Sequence, residues 1–168
     1  MSSATPTGSQ SLPSQGACTV RRAGAEDLSA AIGAVRELLV ELGGSPPPIE
    51  AMQAAATELI EQPEEGVLLI AEQDGELVGL AAASFQLAIH TAGRYALLQD
   101  LWVKPACRSG SIGAQLIDAL CAESRALGLP RVEVGLPSED FPRLRSTRNF
   151  YLKNGFTPLG PRMRLVLT

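Results

Sequence analysis

Val103-Lys104-Pro105-Ala106-Cys107-Arg108-Ser109-Gly110-Ser111-Ile112-Gly113-Ala114 joins two stretches whose hydrophobic period differs. The stretch before it, Tyr95 to Val103, reads as a strand ended by Pro105. The stretch after it, Ser111 to Leu127, sets Ile112, Leu116, Leu120 and Leu127 on one face of a helix that Gly128 and Pro130 terminate. A strand therefore feeds a loop of small residues, which feeds a helix N-terminus. Small side chains let an anion approach the backbone. Several N–H groups then converge on one spot, and the helix dipole adds positive potential. Arg108 is expected to add a full charge at the loop mouth. This is phosphate-binding chemistry that needs no metal. An ordinary tight strand-to-helix turn is the competing reading. The loop is not a Walker P-loop, since Gly-Lys-Ser/Thr is missing, and it lacks the Gly-x-Gly-x-x-Gly of a dinucleotide site.

The second informative stretch is Thr147-Arg148-Asn149-Phe150-Tyr151-Leu152-Lys153-Asn154-Gly155-Phe156. It reads as a short helix from Thr147 to Asn154, with Gly155 as a left-handed stop. Phe150 is expected to pack inward, and Tyr151 to point about 100° away around the helix. Read alone, Tyr151 is a half-buried core tyrosine before it is a catalyst.

The rest of the chain supplies a frame for these two stretches. Thr19-Val20-Arg21 reads as a first strand. Leu28, Ile32, Val35, Leu39 and Leu42 give a helix that begins near Glu26-Asp27, where acids suit the dipole. Gly43-Gly44 stop it. Pro46-Pro47-Pro48 make a stiff turn into a second helix, Ile49 to about Glu61, with Met52, Ala55, Ala56, Leu59 and Ile60 as its apolar face. Val67 to Ala71 is a buried strand, Asp74-Gly75 a hairpin turn, and Leu77 to Ile89 the return strand. Arg131 to Leu136 alternates like a strand, and Met163 to Leu167 is expected to close the sheet. The order is β-α-α-β-β-β-α-β-α-β, an α+β layered fold with a mixed, mostly antiparallel sheet flanked by helices.

Composition narrows the function. The chain has 168 residues, which fits one domain, 18–168, behind a Ser/Thr/Pro/Gly/Gln-rich N-terminal tail, 1–17, expected to be disordered. Fourteen Lys and Arg against 18 Asp and Glu leave a net charge of −4, which argues against a broad face for nucleic acid. Three cysteines (Cys18, Cys107 and Cys121) without CxxC spacing, and the lone His90, make neither a disulfide framework nor a metal site. Each cysteine is expected to be reduced and half-buried. The longest apolar run, Leu77 to Ile89, is too short to cross a membrane. The N-terminus has no basic start or apolar run of a secretory signal, so the expected location is cytoplasmic.

These residues and their order resemble the GNAT superfamily of N-acetyltransferases. Leu101-Trp102-Val103-Lys104-Pro105 followed by Arg108-Ser109-Gly110-Ser111-Ile112-Gly113 is similar to the family's pyrophosphate motif, Arg/Gln-x-x-Gly-x-Gly/Ala. Phe150-Tyr151-Leu152-Lys153-Asn154-Gly155-Phe156 is similar to its second motif, Phe-Tyr-x-x-x-Gly-Phe. The likeness covers about Thr19 to Leu167. It implies an acetyl-CoA-dependent transferase acting on an amine. The strand 97–103 would splay from its neighbour 131–136, and the pantetheine arm would lie in that notch against the backbone of Leu101, Trp102 and Val103. The pyrophosphate would sit on the amides of Arg108, Ser109, Gly110, Ser111, Ile112, Gly113 and Ala114. An amide near Leu101 would face the thioester oxygen. Tyr151 would protonate the departing thiolate as general acid. Homodimers are common among relatives and are expected here on that ground; neither a nucleic-acid nor a membrane partner is.

The chain also departs from the family pattern. Ser111 replaces the first motif glycine, and the usual Arg-Gly is Arg108-Ser109, which is expected to weaken coenzyme binding without abolishing it. The connection from Val134 to Tyr151 is longer than usual, and the Asn that often precedes the second motif falls at Leu144. Strand alternation is expected to put Leu97, Gln99 and Leu101 on the notch side. The acid often found there in relatives is Gln99 here, which can position a substrate but not take its proton. Asp100 on the opposite face is a candidate base, and Glu133, Glu139, Asp140 and His90 are weaker ones. Arg143, Arg145 and Arg148 form a basic cluster, either solvated or touching a ribose phosphate or an acidic acceptor. Gly43 to Pro48 lies where relatives shape the acceptor pocket.

Three functions fit this reading. The first is an N-acetyltransferase that moves acetyl from acetyl-CoA to the primary amine of a small molecule by direct attack in a ternary complex. The second is a non-catalytic acyl-CoA-binding sensor or partner subunit. The third, a nucleotide-binding regulator, lacks the P-loop lysine.

Overall fold

The computed structural model describes residues 16–160 and Met163. Among the described residues, five strands form one sheet in sequence order: β1 (Thr19–Arg22), β2 (Gly66–Gln73), β3 (Glu76–Ala88), β4 (Gly93–Val103) and β5 (Val132–Val134). The first three pairings are antiparallel and the last, β4 with β5, is parallel. A parallel pair needs a crossover, and α3 (Ile112–Ala126) supplies it. α1 (Leu28–Glu41) and α2 (Ile49–Glu61) lie between β1 and β2 in the chain, and α4 (Leu144–Lys153) follows β5. The expected order therefore holds through α4. The last strand, 163–167, lies outside the described residues apart from Met163, as does the tail up to residue 15.

Both faces of the sheet are covered, which is why β2 reads as an unbroken apolar run. Val67, Leu69 and Ala71 face α3, in a core with Ile112, Leu116, Ile117 and Leu120. Leu68 and Ile70 face α1, in a second core with Ala31, Ala34, Leu80 and Trp102. α1 crosses the sheet on alanines, so its buried stripe (Ala31, Ile32, Ala34) is turned from the Leu28–Ile32–Val35–Leu39 line that its larger residues suggest. Asp74 and Gly75 both have positive φ (53° and 78°), the geometry of a tight hairpin turn between β2 and β3.

Two glycines set the position of α3. A Cβ on Gly79 of β3 would stand 2.8 Å from Ile112 Cγ2 and 3.0 Å from Leu116 Cδ1. A Cβ on Gly113 would meet the Phe150 ring at 3.0 and 3.1 Å. The bare backbone at these positions lets α3 lie close on β3, and lets α4 close over the first turn of α3.

Candidate active site

The ladder between β4 and β5 is short. It pairs Ala96 with Val132, Leu97 with Glu133 and Leu98 with Val134, and there it stops. β4 runs on to Val103. From Gln99 onward β4 therefore has no partner on that side among the described residues, and its backbone edge opens into a notch. β5 is shorter than the expected 131–136, because Gly135 and Leu136 have left the sheet.

The notch starts at a bulge. Ala83 pairs with Leu98 and Ala82 with Asp100, which leaves Gln99 as an extra residue. The bulge reverses the alternation beyond it. Leu98 and Leu101 now share the α3 side, while Trp102 belongs to the α1 core. Gln99 donates through Nε2 to Ser84 Oγ at 3.0 Å. Asp100 lies opposite Ala82 of the α1 core, so it shares that face with Trp102. The expected grouping of Leu97, Gln99 and Leu101 on one face, with Asp100 opposite, is thus corrected by one inserted residue.

Beyond β4 the chain makes a 3-10 turn, Pro105–Cys107, and reaches α3 through Arg108 to Ser111. Ser109 stands at φ +75°, a conformation suited to glycine. Ser111 is the N-cap but does not cap with its side chain; its Oγ accepts from Gln115 Nε2 at 2.6 Å. The first intrahelical bond is Gln115 N–H to Ser111 C=O. The amides from Ser109 to Ala114 are the donors of this helix start, whereas the Arg108 amide, expected among them, donates to Pro105 C=O at 3.3 Å. Ile112 is buried, so it offers this loop only its N–H. The side chain of Trp102 is buried in the α1 core, so only its backbone lies along the notch.

Arg108 does not place its charge at the loop mouth. Its Nε donates to Val103 C=O at 2.8 Å, and Nη1 and Nη2 donate to the two carboxylate oxygens of Glu41 at 3.0 and 2.7 Å. Arg143 donates to the same carboxylate. Lys104 is paired with Glu76 at 2.6 Å. The loop therefore presents amides and a helix N-terminus, while Arg108, Arg143 and Lys104 beside it are already engaged. Arg145 and Arg148 are exposed.

α4 starts at Leu144, three residues before the expected Thr147, so the long connection after β5 is partly helical. Tyr151 is the buried aromatic of this helix and Phe150 the half-buried one, the reverse of the expected orientation. Phe150 is held at the surface of α3 by Gly113, and that turns Tyr151 inward. Tyr151 packs edge-on between Phe150 and Phe156, at ring distances of 5.2 and 5.3 Å. It shares a core with Leu98, Leu101 and Val134, residues from both sides of the notch. Burial pushes its phenol up to about 12, so it carries its proton at neutral pH. Burial also raises the Asp100 carboxyl. No hydrogen bond or ion pair engages Asp100 among the described residues. Glu133 is buried in β5. Glu139, Asp140 and His90 are exposed, and His90 sits in the 3-10 turn at the opposite end of β4 from the loop.

A cavity of about 410 Å³ opens on the α1 side, bounded by Arg36, Glu37, Val40 and Glu41 of α1, by Pro46, and by Trp102 with Pro105. Arg36 donates to Pro47 C=O at 3.3 Å and so ties the proline turn to α1. Trp102 follows Asp100 by two residues on one face, a step of about 6.6 Å along a strand. The three cysteines are free and half-buried, and burial raises the thiols of Cys18 and Cys121 away from the reactive thiolate. No group of three or more metal-binding side chains occurs among the described residues.

The open edge of β4, the loop and α3 are the frame of a known family. The Acetyltransferase (GNAT) family model matches residues 33–156, and the chain belongs to that family. It is similar to an IAA acetyltransferase of Azospirillum brasilense, 33% identical over 95 residues, which are 55% of this chain and 60% of that protein. It is also similar to an aminoalkylphosphonate N-acetyltransferase of Salmonella typhimurium, 32% identical over 87 residues, 52% of this chain and 54% of the relative. The chain thus spans little more than half the length of these curated relatives. Among solved structures, an aminoglycoside N-acetyltransferase in complex with CoA aligns at a TM-score of 0.76 and 19% identity, over 93% of this chain and 98% of that one. At that identity the likeness is one of fold.

Proposed function

We propose that this protein transfers an acetyl group from acetyl-CoA to the primary amine of a small molecule, by direct attack in a ternary complex. One observation carries the proposal: among the described residues β4 parts from β5 after Leu98 and leads, with that edge open, through a 3-10 turn to the amides at the start of α3. That edge supplies backbone groups to an extended arm, and the amides supply donors to a pyrophosphate. The coenzyme A complex of the similar fold supports the same donor.

The acceptor enters from the α1 side, over Trp102. Its ammonium, near pKa 10.4 in water, must lose a proton before it attacks. Asp100, unpaired and raised by burial, takes that proton directly or through a water. The amine nitrogen then bonds to the thioester carbon, and an N–H near Leu101 meets the oxyanion. As the carbon–sulfur bond breaks, Tyr151 gives its proton to the thiolate and is reprotonated from solvent. A thiol of about 8.5 in water lies well below Tyr151. Burial has already raised Tyr151, so it is the thiol's own rise on burial in the same apolar cluster that narrows the gap. Side-chain nucleophilic catalysis is not part of the proposal, because no cysteine here has a histidine beside it.

Coenzyme A release, followed over a panel of primary amines, tests this reading. Wild type is expected to turn over at least one amine. Tyr151→Phe is expected to bind acetyl-CoA as wild type does and to lose about 10²–10⁴ in kcat. Tight acyl-CoA binding without thiol release from any amine would favour the non-catalytic sensor, a reading helped by Gln99 standing where relatives often have an acid.

A further inference from the structure

We infer that Glu41 is a positioning residue of the coenzyme site: it fixes Arg108, and through Arg108 the start of the phosphate loop, and it ties both to the helix that carries Tyr151. The inference rests on the coenzyme-binding reading above. Glu41 is the last residue of α1, where the helix dipole disfavours a negative charge. Its partners are therefore tertiary, Arg108 and Arg143, 67 and 102 residues further along the chain.

Arg108 meets Glu41 as a fork, two N–H groups on two oxygens, which fixes the plane of the guanidinium. The third donor, Nε, is thereby aimed at Val103 C=O, the last carbonyl of β4. Arg143, the N-cap of α4, holds the same carboxylate from the other side. One half-buried carboxylate thus joins the end of α1, the exit of β4 and the entry of α4. Burial pushes the Glu41 carboxyl up, but the hydrogen bonds and charges of the two arginines outweigh it and hold it below the usual carboxylate range. Arg108 acts here by shape. Its two Nη groups and its Nε are all engaged by Glu41 and Val103, and a point charge at the same place would not replace that fork.

The test is calorimetric titration of acetyl-CoA into wild type, Glu41→Gln, Arg108→Lys and the double variant, with the melting temperature of each. Glu41→Gln is expected to weaken binding about tenfold, the scale of one charge-assisted hydrogen bond. Arg108→Lys, which keeps the charge and loses the fork, is expected to weaken it as much. The double variant is expected to be no worse than either single one. If Arg108→Lys binds like wild type, charge and not shape matters, and the inference falls. If Glu41→Gln binds equally or more tightly, Glu41 only competes with the coenzyme, and the inference falls again. Should Glu41→Gln not fold, Arg108→Lys decides alone. Absence of binding by wild type would overturn the function and this inference together.

Discussion

Asp100 is a carboxylate that the fold would hold more cheaply as a neutral group. Its pKa is raised by burial, so the charged form costs stability at every pH above that raised value. The cost disappears as pH falls through the raised value toward the unfolded one. Asp100→Asn is therefore expected to melt above wild type at pH 8, with the gap closing in acid, while kcat falls. Wild-type kcat/KM should also fall with acid, as the base takes up its proton. An Asn variant that melts lower at pH 8 and keeps kcat would remove Asp100 from the mechanism. Ser109 shows the opposite economy, a side chain in a glycine conformation at φ +75°. Ser109→Gly is expected to be neutral or up to about 1 kcal/mol more stable, and Ser109→Val to lose about 1–2 kcal/mol, by thermal melting. The residue types at these sites were legible in the sequence. Their directions were not. Phe150 and Tyr151 exchange places because Gly113 lets Phe150 rest on α3, a contact between segments far apart in the chain.

Among the elements, α3 matters most, because its N-terminus is the proposed phosphate site and its apolar face is half of one core. Gly79→Ala would push a Cβ into Ile112 and Leu116. Such overpacking costs about 1–3 kcal/mol, and it lifts the helix whose amides form the loop site. The variant is expected to lose melting temperature and acetyl-CoA affinity together; full affinity at a lowered melting temperature would separate loop geometry from helix seating. Leu116→Ala, at a fully buried position of the same face, is expected to cost about 2–5 kcal/mol in a denaturant titration. Element identity and order were readable from periodicity and from turn residues such as Asp74-Gly75. The bulge at Gln99 was not. An inserted residue is invisible in the alternation of a strand and turns every later side chain over, and here it places Asp100 on the α1 side. The clasp at Glu41 left one faint trace in the sequence, an acid at a helix end that should prefer a base.

At the scale of the whole molecule, the sheet separates two tasks. One face, with α3 and α4, carries the loop and Tyr151. The other, with α1, the proline turn and Trp102, walls the cavity proposed for the amine. Asp100 sits at the bulge where the two meet. The donor was more legible than the acceptor for a physical reason. A pyrophosphate is held by backbone amides, whose arrangement follows from a strand, a small-residue loop and a helix. An amine is held by side chains brought together from distant segments, and sites vary on a shared scaffold. On the proposed function, the open edge of β4 and the first turn of α3 form one binding site for acetyl-CoA. Mapping backbone amide shifts by NMR during an acetyl-CoA titration tests it most directly. Saturable shifts are expected, concentrated at Leu101, Val103 and Ser109 to Ala114, with the Asp74-Gly75 turn unmoved. Saturation without shifts in those residues, or shifts gathered at another surface, would contradict it.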